Sequence, residues 1–238
     1  MQHIHDFTDD RNKAWCIHCG AVMASQECSR DHVPSKSLLL EPYPPNLPCV
    51  LVCQSCNESF SFDEEYFVAF LGCVLSGSTN PADQVHARSA RILSRSEKLR
   101  ARIETAKVQH QSNGAIQLSW KPEVDRIKRI ILKNARGHAF YELGEPLLRE
   151  PDQIWMAPLS ILTASERFHF ERSEWDGLLP EVGSRMLERV FAGHDLVDGW
   201  IHVQKDVYRY MIVQGAKTLI RSVIAEYLAT EVTWDTDA

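Results

Sequence analysis

Apolar residues are sparse between positions 14 and 60, where Cys, Pro, Ser and Asn dominate and hydrophobic runs are short. Such a stretch cannot close a core of its own and predicts a small, loop-rich module that needs a staple. The pattern turns helical in "NESFSFDEEYFVAFLGCVLSG". There Ser61 or Asp63 can cap a helix with Glu64 and Glu65 in its first turn and Gly77 at its end, covering the module. Residues 78–106 predict a second helix, with Thr79 or Asn80 as cap and Pro81 in the first turn, running without Gly or Pro to Ala106. A polar turn, "QHQSNG", follows. Val124, Ile127, Ile130, Ile131 and Ala135 then recur at helical spacing and predict a third helix from Pro122 to Leu143, ended by Gly144. From residue 153 onward the texture changes. "WIHVQ", "YRYMIVQ" and "IRSVIAEYLATEVTW" are β-branched and aromatic, with turns at Lys205-Asp206 and "GAKT". They predict an antiparallel, β-rich unit with a short helix near "GSRMLERVFAG". The expected fold class is α+β, divided into residues 1–77, 78–144 and 145–238.

Length and composition, 238 residues of which 44% are hydrophobic, allow an ordinary core. The longest apolar stretch, "YFVAFLGCVL" at 66–75, falls short of the roughly 20 residues that cross a bilayer. The amino-terminal "MQHIHDFTDD" is acidic and lacks the apolar core of a signal peptide. A cytoplasmic protein without a membrane partner is the expectation. The net charge of −6 conceals a division along the chain. Residues 1–84 carry 4 basic and 11 acidic side chains, residues 85–136 carry 13 and 4, and residues 137–238 carry 9 and 17. The central basic band offers Arg88, Arg91, Arg95, Lys98, Arg102, Arg126, Arg129 and Lys133 to the phosphates of a nucleic acid. The same charges could equally form a solvated helix face.

Of seven cysteines, four form two C-x-x-C pairs, Cys16/Cys19 and Cys53/Cys56, separated by 33 residues. Two such knuckles supply four thiolates that can close a tetrahedron around Zn²⁺, and a closed site of this kind is structural. An odd number of cysteines, four of them in knuckles, does not suit a secreted disulfide framework. Cys28, Cys49 and Cys73 read as buried or idle thiols. His18, inside the first knuckle, could replace a cysteine ligand but reads as an exposed residue.

Asp31, His32, Asn46 and Asn57 lie among and just after the knuckles. Together, Cys16-x-x-Cys19, Asp31-His32, Asn46 and Cys53-x-x-Cys56-Asn57 resemble the motif of HNH endonucleases, the ββα-metal nucleases with a zinc-stapled core. The resemblance covers residues 14–67, and "DEEYF" is similar to one subgroup. It implies that His32 is the general base, that Asp31 and Asn57 hold a catalytic divalent cation, and that Asn46 steadies the loop and orients the histidine. Asn57 stands where the family carries His or Asn, which makes this an HNN variant. The chemistry is coherent in its own terms. Phosphodiester hydrolysis needs a base that titrates near neutrality and a cation on the phosphoryl and leaving oxygens, and carboxylate and amide oxygens suit Mg²⁺ or Mn²⁺. Neighbours on a helix point about 100° apart, so Cys56 can face zinc while Asn57 faces a second metal. Neighbours on a strand point to opposite faces, so Asp31 and His32 must sit at a strand end or distortion, which Pro34 can help produce.

These features predict a zinc-stapled, Mg²⁺- or Mn²⁺-dependent endonuclease acting on DNA. The alternative is a non-catalytic zinc-ribbon module that binds nucleic acid or serves as an adaptor. The carboxy-terminal unit shows no catalytic constellation, and His138, His169, His194 and His202 read as structural or surface residues. A homo-oligomer or a protein partner through this unit is left open, and a role in phage defence rests on family analogy alone.

Overall fold

The computed structural model describes residues 11–112, 115–172, 179–193 and 195–235. The amino-terminal "MQHIHDFTDD", the Asn113-Gly114 tip of the expected turn and His194 lie outside the described residues. The chain is mixed α+β. In order, it forms β1 (Cys28–His32), β2 (Cys49–Cys53), α1 (Gln54–Ser76), α2 (Ala87–Arg95), α3 (Glu97–Thr105), β3 (Lys107–Ser112), β4 (Ala115–Trp120) and α4 (Val124–Leu143). There follow β5 (Gln153–Pro158), α5 (Ala164–Glu171), α6 (Arg185–Ala192), β6 (Leu196–Val197), β7 (Trp200–Gln204), β8 (Tyr208–Gln214), β9 (Lys217–Ile224) and β10 (Leu228–Asp235). No helix of the described residues is long and apolar enough to cross a membrane. Two compact units emerge, residues 1–58 with 131–238, and residues 59–130.

In the first unit, β1 and β2 pair antiparallel with Asp31 opposite Val50 and His32 opposite Cys49, and β2 runs directly into α1. The first knuckle is closed by its own backbone. Cys16 N–H donates to the Ala21 carbonyl and Gly20 N–H to the Cys16 carbonyl, both at 2.8 Å. Gly20 has φ of +71°, a left-handed conformation that costs glycine least. Cys16, Ile17, Met23, Val33, Val50, Val52, Cys53 and Phe140 form one buried cluster. Helix α4 joins that cluster closely, because Gly137 presents no side chain to Val33. A Cβ built there would lie 2.6 Å from one Val33 methyl.

The carboxy-terminal sheet has the order β5-β10-β9-β8-β7-β6, all antiparallel. It buries Leu159, Phe170, Trp200, Met211, Val213, Val223 and Ala229 together. Helix α5, which the pattern of hydrophobics did not announce, starts with a capping box between Thr163 and Glu166. Helix α6 is the short helix expected there, capped by the Ser184 hydroxyl. Helix α4 also supplies a buried polar network. The His138 Nε2 and Tyr208 hydroxyl are hydrogen-bonded at 3.0 Å. Glu142 accepts from the Tyr210 hydroxyl at 2.6 Å and from Arg189 Nε at 2.8 Å. His138 is therefore structural, as expected, while His169 and His202 are exposed.

In the second unit, the single helix expected over 79–106 is two helices, α2 and α3, broken where the Ser96 hydroxyl accepts from Leu99 N–H and caps α3. The segment read as a polar turn belongs instead to a hairpin, β3 with β4. Ser89 Oγ donates to the Val68 carbonyl at 3.2 Å and fastens α2 to α1.

Candidate functional site

Cys16 sits in the first knuckle, Cys53 ends β2 and Cys56 lies in the first turn of α1, so the hairpin-to-helix junction carries half of a four-cysteine cluster. The sulfurs of Cys16, Cys19, Cys53 and Cys56 all lie within 4.8 Å of one another, close enough to hold a metal ion. The Sγ atoms of Cys19 and Cys53 are 3.7 Å apart. A tetrahedron with metal–sulfur bonds of about 2.3 Å has edges of about 3.8 Å, so the spacing fits. Without a cation, four crowded thiolates repel. Burial acts to raise the Cys53 thiol, but the Ser55 hydroxyl and the Cys56 N–H outweigh it and set Cys53 at about 6. Burial together with Cys53 and Cys19 pushes Cys56 up instead. Among the described residues this is the one such group of three or more His, Cys, Asp or Glu side chains.

Side chains alternate along β1, so Ser29 and Asp31 share one face while Arg30 and His32 share the other. On the Asp31 face, Val50 and Val52 are buried. On the His32 face, Cys49 and Leu51 are exposed. Asp31 is 5% exposed, and both of its carboxylate oxygens are engaged. Lys133 Nζ is 2.8 Å from Oδ1 and His18 Nε2 is 3.5 Å from Oδ2. Burial works to raise the Asp31 carboxyl, but His18 and Lys133 outweigh it and hold the group below its ordinary value. Lys133 also donates to the Ser35 hydroxyl at 2.7 Å, and Ser35 N–H donates to Asn134 Oδ1 at 2.9 Å.

Asn57 stands in the first turn of α1, and its Nδ2 donates to Ser29 Oγ at 3.0 Å. Asn57 and Asp31 thus address the same hairpin face, at strand residues two apart, or roughly 6.6 Å along the chain. His32 is the last residue of β1 and half-buried on the opposite face, so the strand end does not bring it onto the Asp31 face. Burial and then the Lys36 ammonium lower its pKa, while Asp31 opposes them. Asn46 is exposed in the turn that precedes β2. The structure therefore groups Asp31 with Asn57 by face and sets His32 one residue away on the other.

Two expectations are corrected. His18 is buried against Asp31 rather than exposed, with its side chain 3% accessible. Lys133 is 4% exposed and ion-paired, so it is not available to phosphates. In the second unit, Arg126 and Arg129 share Asp63, at 2.6 and 2.7 Å, Arg95 pairs with Glu65 at 2.7 Å, and Arg102 pairs with Glu123. Arg91 and Lys98 are exposed, and Arg88 is half-buried. The Lys133 pairing carried a signal in the sequence. Position 133 falls three residues after Ile130 and four before Gly137, on the apolar stripe of α4, where a lysine requires an acidic partner. Comparison with protein-family models, curated proteins and solved structures finds no match.

Proposed function

We propose that the chain is a metal-dependent DNA endonuclease of the HNH kind, with structural zinc in the four-cysteine cluster and His32 as the general base. The observation that carries the reading is the hairpin-to-helix order. The cysteines tie the first knuckle to the β2–α1 junction, His32 is the half-buried last residue of β1, and Asn57 and Asp31 address one face of the hairpin. A closed set of four thiolates leaves no open position for substrate, so zinc would hold the block rather than do the chemistry. His32, kept in its neutral form by partial burial and Lys36, can take a proton from a water that attacks phosphorus. Asp31 and Asn57 are the residues that would hold a hard divalent cation, which supplies charge stabilisation to the phosphoryl and leaving oxygens. The Asp31 carboxylate has to part from Lys133 to accept it.

That ion pair favours the second reading, a non-catalytic zinc module, because Lys133 already neutralises Asp31. Incubation of supercoiled plasmid with the purified chain and Mg²⁺, Mn²⁺ or no divalent ion separates the two. Nicking that requires added metal is the expected result, and intact plasmid under every condition overturns the endonuclease reading.

A further inference from the structure

Two cations flank His32 on the exposed face of the β1–β2 hairpin. Arg30 precedes it by two residues on the same strand face, roughly 6.6 Å along the chain, and is exposed. Among the described residues Arg30 makes no ion pair. Lys36 opens the short 3-10 turn Lys36–Leu38 just past the strand and is half-buried. Its ammonium stands 5.4 Å from the centre of the Tyr43 ring. A ring face positions an ammonium without cancelling its charge as a carboxylate would. Both cations act on the Cys49 thiol, the exposed cross-strand neighbour of His32, and Lys36 acts on the His32 ring as well. They therefore approach His32 from both sides of it along the chain. The carboxylate felt there is Asp31, which lies on the other face and is matched by Lys133.

Phosphodiester hydrolysis gathers negative charge on the non-bridging oxygens as water attacks, and the largest rate gains come from donors already aimed at that charge. A divalent cation held by Asp31 and Asn57 would stand on the opposite hairpin face, so on the His32 face that charge meets Arg30 and Lys36. The two offer different contacts. A guanidinium presents a planar fork that fits two phosphate oxygens at once, whereas an ammonium acts as a point charge. We propose that Arg30 and Lys36 clamp the non-bridging oxygens of the phosphate that His32 addresses, Arg30 in a bidentate grip and Lys36 as the second charge. Contacts of this kind carry no sequence information, so the clamp takes any nucleotide sequence. The assignment rests on the nuclease reading for the water that His32 activates, while the grip on backbone phosphate stands apart from it.

The test uses the full chain and a fluorescent duplex oligonucleotide, with anisotropy over a salt series without added divalent ion, and single-turnover cleavage with Mn²⁺ at saturating protein. Arg30→Gln/Lys36→Gln should flatten the slope of log K against log salt by about 0.9, the loss of one phosphate contact, with melting temperature and zinc content unchanged. Arg30→Gln alone should lower the single-turnover rate by about 10²- to 10³-fold. Arg30→Lys keeps the charge but not the fork, so it should restore the slope and only part of the rate. In the wild-type chain, acetylation of Lys36 read by mass spectrometry should slow when the duplex is bound, a measurement that needs no variant to fold. The slope change and the protection of Lys36, with no cleavage under any metal, keep the phosphate clamp and remove the nuclease reading. His32-dependent cleavage with wild-type slope and rate in the variants, or Lys36 acetylated equally fast with and without duplex, overturns the proposal.

Discussion

Lys133→Met isolates the pair at the centre of the candidate metal site. Lys133 Nζ lies 2.8 Å from Asp31 Oδ1, and the two side chains are 3% and 7% exposed. Methionine keeps the length and apolar stem of lysine but leaves the Asp31 carboxylate buried with His18 alone. Breaking a buried pair from one side costs about 3–5 kcal/mol, because the remaining charge stays desolvated. At about 2–4 °C per kcal/mol for a chain of this length, melting should fall by roughly 6–20 °C. The double variant Asp31→Asn/Lys133→Met removes both charges and should recover more than half of the loss, since the penalty belongs to the orphaned carboxylate. Thermal and urea unfolding of wild type, single and double variants measure this directly. Mn²⁺ at a hundred times its dissociation constant should stabilise Lys133→Met by about 2.7 kcal/mol if the vacated position accepts a divalent cation. A loss below about 1 kcal/mol in Lys133→Met, or no recovery in the double variant, would refute the electrostatic account of this site.

Cys53→Ser should reduce zinc from about one ion per chain to near zero, since no spare thiolate completes the tetrahedron; metal analysis showing undiminished zinc contradicts the cluster. Gly137→Ala places a Cβ 2.6 Å from a Val33 methyl and should destabilise the first unit by about 1–2 kcal/mol despite alanine's better helix propensity. Urea unfolding that finds it stabilised would mean that Val33 and α4 are not in close contact. His138 is fully buried and desolvation lowers its pKa to about 3. The unfolded chain binds that proton more readily, so stability should fall as pH drops below about 6.5, by about 2 kcal/mol between pH 7 and pH 5. His138→Gln should remove that part of the slope, and an unchanged pH profile would show that His138 does not titrate on unfolding.

The four cysteines were legible because metal chemistry fixes both ligand type and knuckle spacing, and the structure brings their sulfurs together. The strands that carry Asp31 and His32 were not legible from pattern alone. "CSRDH" has little β propensity, and pairing with the apolar "CVLVC" holds it extended. Two signals were present but outweighed by a longer pattern. Ser96 followed by Glu97 is a helix-start sequence inside an otherwise continuous helical stretch. Asn113-Gly114 falls between the alternating segments "KVQHQS" and "AIQLSW", which pair as β3 and β4. The carboxy-terminal strands were legible from their β-branched and aromatic content, and they pair in one antiparallel sheet. The charge band misled in part, because net charge does not reveal which cations already face a carboxylate. Asp63 holds Arg126 and Arg129, and Asp31 holds Lys133.

The most direct test of the proposed chemistry is DNA cleavage by His32→Ala at saturating Mn²⁺, with zinc content, melting temperature and oligonucleotide affinity measured on the same preparation. His32 is half-buried at a strand end and, among the described residues, in no ion pair with a carboxylate, so its removal should leave those three properties at wild-type values. Cleavage should fall by about 10²- to 10⁴-fold, the range that a general base contributes. Cleavage within a few-fold of wild type would contradict the endonuclease account at this site and leave a zinc module without catalysis through His32.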